Sequence, residues 1–389
     1  MRTRTQQELI EIIRFEIRGI PLPDGFSVSD EDSLIKLAKE HDLSHLIYDA
    51  LEKNGIGCSS KSAMQQYYAS IWRAEQMTHE LESMTKLFEE NGIDFIPLKG
   101  AVIRPLYPEP WMRTSADIDI LFHEEDVENV SDLLVRDLGY TKDTEDTDSH
   151  HLSFHVPSSD VHIEIHRKLF REFQVGQSVL DQIPLIWEHA SPRQGYKHLL
   201  YMSDPYFYFY HIAHMVKHIS SSGGCPIRSL IDLWILDNSP DRDEKKRRAV
   251  LKKAGVLTFA EAMSDTAKAW MESGEVSSEA LEQFILTGQM YGDIKNKVSF
   301  GVESDGLTKY VFKRIFLPYD TMKYAFPVLQ KHRWLTPLFQ IIRWTRVFRE
   351  KYRVRFVYRM KSLLRTNHEV TDQISQVKQI LGLNSTKEE

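Results

Sequence analysis

Two short runs that carry carboxylates at alternate positions constrain this chain more than any other feature. Asp117 and Asp119 alternate with isoleucine in the first run, and Glu164 lies in a similar run at residues 161–166. Because successive strand residues face opposite sides, each run predicts a β-strand with acids on one face and aliphatic side chains on the other. Carboxylates aligned on a partly buried face repel one another, and their desolvation costs several kcal/mol. The pattern therefore predicts that a cation neutralises these acids.

Carboxylate oxygens are the ligands that hard divalent cations such as Mg²⁺ and Mn²⁺ prefer. Two such ions, about 3.5 to 4 Å apart, activate an attacking oxygen and stabilise a leaving pyrophosphate in phosphoryl and nucleotidyl transfer. We therefore expect Asp117, Asp119 and Glu164 to bind metal. If the register of the second strand slips, His162 or Asp160 takes the place of Glu164.

The composition is that of an ordinary soluble globular protein, with 42% hydrophobic and 27% charged residues. At 389 residues the chain is long enough for two or three domains. The two cysteines, Cys58 and Cys225, cannot form a disulfide framework, so a reducing cytoplasm is the expected location. The amino terminus predicts an amphipathic helix rather than an apolar signal segment, and no run has the length and apolarity of a membrane span.

Helical and strand-like patterns divide the chain into three parts. We predict an N-terminal helical region over residues 1–88, a strand-rich core over 89–172 and a C-terminal helical domain over 173–389. The elements expected in and beside the core are a helix at 62–90, a strand at 93–98, a helix at 101–106, the acidic strand from 117, a helix at 125–138, and strands at 152–156 and 161–166. The expected fold class is α+β, with a small mixed sheet between two helical regions.

A phosphate-binding corner is predicted beside the acidic strand. Lys99 and Gly100 end one strand and begin a helix, so backbone N–H groups and the helix dipole would face an anion there, and Lys99 adds a positive charge. Arg113 lies four residues before the first acid, in a loop that would swing over a triphosphate, or it is a simple surface arginine. His166 shares the face of Glu164, where it orients a ligand or caps the sheet.

These residues belong to a longer series of motifs, which comprises Ile93-Asp94-Phe95-Ile96-Pro97-Leu98-Lys99-Gly100, Leu106-Tyr107-Pro108, Arg113 and Asp117-Ile118-Asp119-Ile120-Leu121. The series resembles the uncharacterised bacterial nucleotidyltransferase family of the polymerase-β superfamily. Further motifs fall in the family's order over most of the chain, among them Ile163-Glu164-Ile165-His166, His211 to His214 and Ile231-Asp232-Leu233.

The resemblance implies a polymerase-β-like nucleotidyltransferase core that transfers a nucleoside monophosphate from an NTP, such as ATP, to a hydroxyl acceptor and releases pyrophosphate. It implies that Asp117 and Asp119 hold two Mg²⁺ or Mn²⁺ ions, and that Glu164 holds the catalytic ion and helps to deprotonate the acceptor. The nucleotide- and phosphate-binding residues that it implies are Lys99, Gly100, Arg113 and His166.

Two positions depart from the family pattern. The corner is Lys99-Gly100-Ala101 and lacks the usual serine hydroxyl, and Glu164 stands where the family commonly has aspartate. A catalytically silent nucleotide-binding or interaction protein and an enzyme acting on RNA ends are therefore alternative functions. The sequence does not identify the acceptor. It is a small molecule with an aminoglycoside-like or sugar hydroxyl, a protein side chain or an RNA end. The oligomeric state is not predicted.

Three features of the C-terminal half have more than one interpretation. His211, His214 and His218 share one helix face. They are zinc ligands, a polar seam between helices or a wall of the nucleotide site, and the sequence leaves these interpretations open. Arg228 and Asp232 have the spacing of an intrahelical ion pair. Residues 331–367 carry eleven Lys or Arg against one acid, interleaved with aromatic residues. In one interpretation, the aromatic side chains of this basic segment, Trp334 and Trp344 among them, pack on the helical domain. In the other, the segment binds nucleic acid or an anionic membrane.

Overall fold

The computed structural model describes residues 2–143, 150–157, 159–288, 294–347 and 368–383. The helices are α1 Arg4–Ile17, α2 Glu31–Glu40, α3 Ser44–Lys53, α4 Lys61–Asn91, α5 Gly100–Ile103, α6 Val127–Asp137, α7 Gln177–Leu180, α8 Leu185–Glu188, α9 Asp204–Ser222, α10 Ile227–Asp237, α11 Glu244–Lys253, α12 Leu257–Lys268, α13 Glu279–Thr287, α14 Ile294–Asp305, α15 Leu307–Ile315, α16 Tyr319–Ala325, α17 Val328–Lys331, α18 Thr336–Val347 and α19 His368–Ile380. The strands are β1 Phe95–Pro97, β2 Asp117–Phe122, β3 Thr141–Lys142, β4 His151–His155, β5 His162–His166, β6 Ala190–Pro192 and β7 Leu200–Met202. A π-helical turn, Ala269–Ser273, follows α12.

The main sheet has five strands in the order β1-β2-β5-β4-β3. Strands β2 and β5 pair in parallel, and the other neighbours pair antiparallel, so the sheet is mixed. The predicted α+β class with a small mixed sheet is thereby confirmed. Strand β3 and the separate β6–β7 hairpin were not expected from the sequence, because both are too short to show an alternation.

One face of this sheet is apolar and packs under the long helix α4. Phe88 from α4 meets Phe95 and Phe122 edge to face, with ring centroids 5.1 Å from each. Helix α4 starts after the N-cap Ser60, whose hydroxyl accepts from the amide of Ala63, and it ends at Gly92 with φ 68°. With the apolar side chains covered by α4, the opposite face of the sheet carries the polar residues.

A second hydrophobic core joins helices from both ends of the chain. It contains Leu9 and Ile12 of α1, Leu46 of α3, Phe209 of α9 and Leu381 just after α19. The first helical region therefore shares its apolar contacts with the last one. The three-part division at residues 88 and 172 stays a prediction.

The basic segment is described only in part. Trp334 is 76% exposed, so the expectation that it packs on the helical domain is wrong, and Trp344 is half-buried. Helices α16 and α17 build a small cluster of their own from Met322, Phe326 and Leu329. The expected aromatic residues at 348, 352, 356 and 358 lie outside the described residues. Within the described ranges, no helix combines the length and apolarity needed to cross a membrane.

Candidate active site

The register between β2 and β5 brings the predicted carboxylates together. Asp119 pairs with Glu164 across the parallel strands, while Asp117 pairs with His162. Because the pairing is in parallel and in step, Asp117, Asp119 and Glu164 project from the same polar face. Asp160 lies before β5 and is exposed. The register therefore places Glu164, rather than Asp160 or His162, beside Asp119.

Asp119 is the electrostatic centre of this face. Its Oδ1 accepts a hydrogen bond from Nζ of Lys99 at 2.7 Å and another from Nε2 of His166 at 2.7 Å. Although burial opposes its charge, the ammonium group of Lys99 and the hydrogen bond from His166 hold the pKa of Asp119 well below its usual range. Burial likewise opposes the charges of Lys99 and His166, but Asp119 raises the pKa of both. Asp119 and His166 are buried and Lys99 is half-buried, and the three side chains form one charge-assisted network.

Asp117 has the opposite surroundings. Burial, followed by the neighbouring charge of Asp119, raises the pKa of Asp117 to about 6, against partial relief from Lys99. Among the described residues it forms no ion pair within 4.0 Å. The structure thus contains one carboxylate stabilised by cations and, two residues earlier, one that is destabilised by its own neighbour.

The donor set on this face fits a divalent cation. One carboxylate oxygen each from Asp119 and Glu164 and a ring nitrogen of His166 lie within 4.8 Å of one another. Nε2 of His166 is also 3.3 Å from Oε2 of Glu164. Asp117 lies outside this group, although it shares the strand face. The donor group therefore includes His166, which is missing from the predicted set of Asp117, Asp119 and Glu164. The alternation predicted that His166 shares this face but did not indicate that it is a ligand.

The predicted corner is present, but Lys99 and Gly100 have different local roles. Lys99 adopts φ 44° and ψ −115°, a strained conformation for a non-glycine residue, and its side chain turns to Asp119. Helix α5 begins at Gly100 and is only four residues long. A Cβ atom on Gly100 would lie 2.5 Å from Nη1 of Arg113 and closer still to Oγ of Ser115. Glycine fits this position because the 113–115 loop packs directly on the corner, and any larger residue would displace the side chains of Ser115 and Arg113.

This packing brings a hydroxyl to the corner from another part of the chain. Ala101 follows the corner glycine and offers no hydroxyl. Ser115 lies beside Gly100 instead, and its Oγ accepts a hydrogen bond from Nη1 of Arg113 at 3.1 Å. The position of this hydroxyl could not be read from spacing, since it depends on how the loop folds back.

Arg113 is buried in a hydrogen-bonded network and is not a surface arginine. Its Nε and Nη2 donate to the two carboxylate oxygens of Asp232 at 2.8 Å each, and the hydroxyl of Tyr107 donates to the same carboxylate at 2.7 Å. All three side chains are buried. The predicted intrahelical pair of Arg228 and Asp232 is wrong, because Arg228 donates to the carbonyl oxygen of Thr114 at 2.7 Å. Asp232 instead anchors the loop that precedes β2.

Helix α9 supplies a second cationic group near the carboxylates. Lys217 is half-buried, and its Nζ lies 5.9 Å from the ring centre of Phe170, with no carboxylate within 4.0 Å among the described residues. Burial and the nearby charge of Lys99 lower the pKa of Lys217 to about 8, while Asp119 and Glu164 act in the other direction. The sequence showed Lys217 beside a histidine face but did not indicate that this face meets the sheet.

The histidine face of α9 forms part of the same surroundings. Burial, reinforced by Lys99, lowers the pKa of His214, and burial, reinforced by Lys217, lowers the pKa of His218 to about 4. Their ring centroids are 4.5 Å apart. Within the described chain, His211, His214 and His218 do not form a group whose ring nitrogens converge on one point. Their arrangement favours the neutral, polar wall over the zinc site.

Comparison with known proteins bears on this site. A family model described as "Uncharacterised nucleotidyltransferase" matches residues 27–272, which include the sheet, the 113–115 loop and α9 to α12. No curated protein and no solved structure matches the chain. The match covers more than half of the 389 residues. The polar face of the mixed sheet, with Asp117, Asp119 and Glu164, therefore lies in a chain that belongs to the family of uncharacterised nucleotidyltransferases.

Proposed function

We propose that this protein transfers a nucleoside monophosphate from an NTP to a hydroxyl acceptor and releases pyrophosphate. The observation that carries the proposal is the parallel β2–β5 register, which places Asp119 directly beside Glu164 on the polar face of the sheet. In this proposal Asp117, Asp119 and Glu164 hold divalent cations, with Mg²⁺ or Mn²⁺ suited to their oxygen ligands. Bound there, such cations would neutralise the phosphates and lower the pKa of the attacking hydroxyl.

The carboxylates have different tasks in this scheme. The Glu164 side chain is 27% exposed, whereas Asp119 is 2% exposed and already accepts two charge-assisted hydrogen bonds. Glu164 is therefore the group that an acceptor hydroxyl can reach, and one of its oxygens takes the proton from that hydroxyl. His166 donates to Asp119 and holds the carboxylate in a fixed orientation.

The phosphates would be bound by the cations around the acidic face. Lys99 is within 2.7 Å of Asp119, and in the nucleotide complex its ammonium group turns to a phosphate oxygen. Lys217 adds a positive charge from α9, where no carboxylate competes for it among the described residues. Ser115 offers the hydroxyl that the sequence lacks after Gly100. Arg113 supports the loop through Asp232 rather than contacting the triphosphate.

A thermal-shift screen of the four NTPs with Mg²⁺ or Mn²⁺ tests this function. A ligand that binds the folded state raises stability by RT ln(1 + [L]/Kd), about 2.7 kcal/mol at 100 times Kd. We expect stabilisation by one NTP only when the divalent cation is present. Asp117→Asn and Glu164→Gln should abolish it, while Asp160→Asn, which changes an exposed acid next to β5, should leave it intact.

Pyrophosphate release then separates an enzyme from a silent binding protein. Incubation of the parent with the stabilising NTP and a panel of sugars, aminoglycosides, peptides and RNA ends should release pyrophosphate with one class of acceptor. Metal-dependent NTP binding without any release would support the silent nucleotide-binding alternative and overturn transfer. Equal NTP binding in the presence of a chelator would overturn the assignment of the carboxylates to metal.

A further inference from the structure

Three histidines converge at the end of the polar face where β4 and β5 meet. His151 of β4 lies opposite His166 of β5 in the antiparallel register, and the carbonyl oxygen of His150 accepts from the amide of Arg167 at 3.2 Å. These backbone contacts hold the three imidazoles together, with ring centroids 5.4 to 5.7 Å apart. One ring nitrogen from each lies within 4.8 Å of the other two.

The surroundings of His166 are those of a metal-binding histidine. Its Nε2 lies 2.7 Å from Oδ1 of Asp119, while its Nδ1 is buried with no hydrogen-bond partner among the described residues. A histidine that binds metal commonly donates its other N–H to a carboxylate, which fixes the tautomer and the ring orientation. A buried ring nitrogen without a partner is otherwise costly. His166 is 6% exposed, and so is His150, so two of the three imidazoles lie away from bulk water.

We propose that His150, His151 and His166 bind one divalent metal ion of intermediate softness, such as Zn²⁺. Asp119 is the carboxylate that orients His166. Imidazole nitrogens suit zinc and its neighbours in the periodic table, whereas Mg²⁺ requires oxygen ligands. Zinc–nitrogen bonds of about 2.0 to 2.1 Å require the ring nitrogens to close to about 3.3 Å in a tetrahedral site. Rotations of the side chains would bring the nitrogens to this separation from their present distances of up to 4.8 Å, and water would take the fourth position.

This site shares His166 with the donor group of Asp119 and Glu164, but its other two histidines belong to it alone. His150 and His151 belong to it but not to the group of Asp119, Glu164 and His166. Asp117 belongs to neither group. Substitutions at these positions can therefore distinguish a failure of the zinc proposal from a failure of the proposed transferase function.

The same two strands provide a matched control. His155 and His162 lie opposite each other at the other end of the β4–β5 pair, with ring centroids 4.3 Å apart. Both are exposed, and within the described residues no third ligand converges with them. His162→Gln therefore removes a histidine from the same strand pair without touching the proposed site.

Titration of the chelator-stripped full chain with Co²⁺, followed by its visible absorption and by displacement with Zn²⁺, tests the proposal. With millimolar Mg²⁺ present to occupy the carboxylates, we expect one Co²⁺ ion per chain with the strong absorption of a four-coordinate site. His150→Gln and His151→Gln should each weaken binding by at least the 10-fold to 100-fold loss typical of a supporting residue. His162→Gln and Asp117→Asn should bind as the parent does, and millimolar Mg²⁺ should not compete.

Two results would overturn the site. One is the absence of saturable Co²⁺ or Zn²⁺ binding in the parent. The other is binding that Asp117→Asn abolishes while His150→Gln and His151→Gln retain it, which would place the ion on the carboxylates. X-ray absorption of the Zn²⁺-loaded parent requires no variant and therefore does not depend on whether the variants fold. Outer-shell scattering from three imidazoles supports the proposal, and scattering from one or none contradicts it.

Discussion

Asp117 and Asp119 lie two residues apart on one strand, yet their surroundings shift their pKa values in opposite directions. Asp119 accepts from Lys99 and His166, which favour its charged form. Burial and the charge of Asp119 both disfavour the charged form of Asp117, so its pKa rises to about 6. Equivalent substitutions at the two positions should therefore change the stability of the metal-free protein with opposite signs.

We expect Asp117→Asn to stabilise the metal-free protein above pH 6. The pKa of Asp117 rises from 3.8 to about 6 on folding, so the folded state binds the proton more tightly, and this group lowers stability as pH rises from about 4 to about 6. Removing the charge should raise the free energy of unfolding at pH 7.5 by about 1 to 3 kcal/mol. Urea unfolding with a chelator at pH 5 and at pH 7.5 measures the gain and its pH dependence.

Asp119→Asn should have the opposite effect in the same experiment. It removes the carboxylate that the half-buried Lys99 and the buried His166 contact, and breaking such an ion pair costs up to about 3 to 5 kcal/mol. Asp160→Asn, at an exposed position, serves as the control and should be neutral. An Asp119→Asn protein as stable as the parent would show that this network does not stabilise the fold.

The sequence predicted some of these residue contacts and not others for a physical reason. Period-2 alternation is local, so it placed Asp117, Asp119 and Glu164 on strand faces correctly. The partner of Arg113 is Asp232, which is 119 positions away. Within one helical turn of Asp232, the basic residue is Arg228. A pattern that considers only neighbouring residues therefore predicts the pair of Arg228 and Asp232. The catalytic and metal-binding roles of the three acids stay predictions.

At the scale of elements, the β1–α5 corner and the 113–115 loop act as one packed unit. Gly100 is buried beneath Arg113 and Ser115, and Lys99 next to it holds a strained backbone conformation. The sequence indicated the turn but assigned the glycine to phosphate binding alone. The structure adds that the glycine admits the loop whose next residues form β2.

Gly100→Ala should therefore disturb both stability and nucleotide binding. The new Cβ overlaps Oγ of Ser115 and Nη1 of Arg113, and overpacking of this kind costs about 1 to 3 kcal/mol. Gly176→Ala is the matched control, because a Cβ there meets nothing within 4 Å and the backbone needs no positive φ. Thermal unfolding and MgNTP titration of both variants measure the effect. Equal behaviour of the two variants would contradict the packed corner.

At the scale of the whole molecule, the larger core connects the two ends of the chain. Ile374, Val377 and Leu381, in and just after α19, are buried in the same cluster as Leu9 and Ile12 of α1. Lys378 pairs with Glu303 of α14 beside them. The α+β class was predictable because the strand-rich stretch is short and local. How the flanking helices pack on one another depends on contacts between distant residues, and no periodicity contains that information.

Leu381→Ala should destabilise the whole protein. The side chain is fully buried, and removal of such a leucine costs about 2 to 5 kcal/mol, depending on how far the cavity collapses. Ile341→Ala, at a side chain that is 64% exposed, should change stability by less than about 0.5 kcal/mol. Chemical denaturation followed by tryptophan fluorescence compares the two. A neutral Leu381→Ala would show that α19 is dispensable for the core.

The contacts of Arg2, which lies just before α1, with residues after the π-helical turn have a consequence for synthesis on the ribosome. Arg2 donates to the carbonyl oxygen of Gly274 at 2.6 Å and pairs with Glu282 at 2.8 Å, 280 positions later in the chain. At about 5 to 20 residues per second, roughly 14 to 56 s of translation separate these partners. During that time Leu9 and Ile12, on the apolar side of α1, lack the part of their hydrophobic core that comes from later residues such as Trp270 and Leu281. We therefore expect the nascent chain to need shielding of the apolar side of α1 until the later segment has emerged.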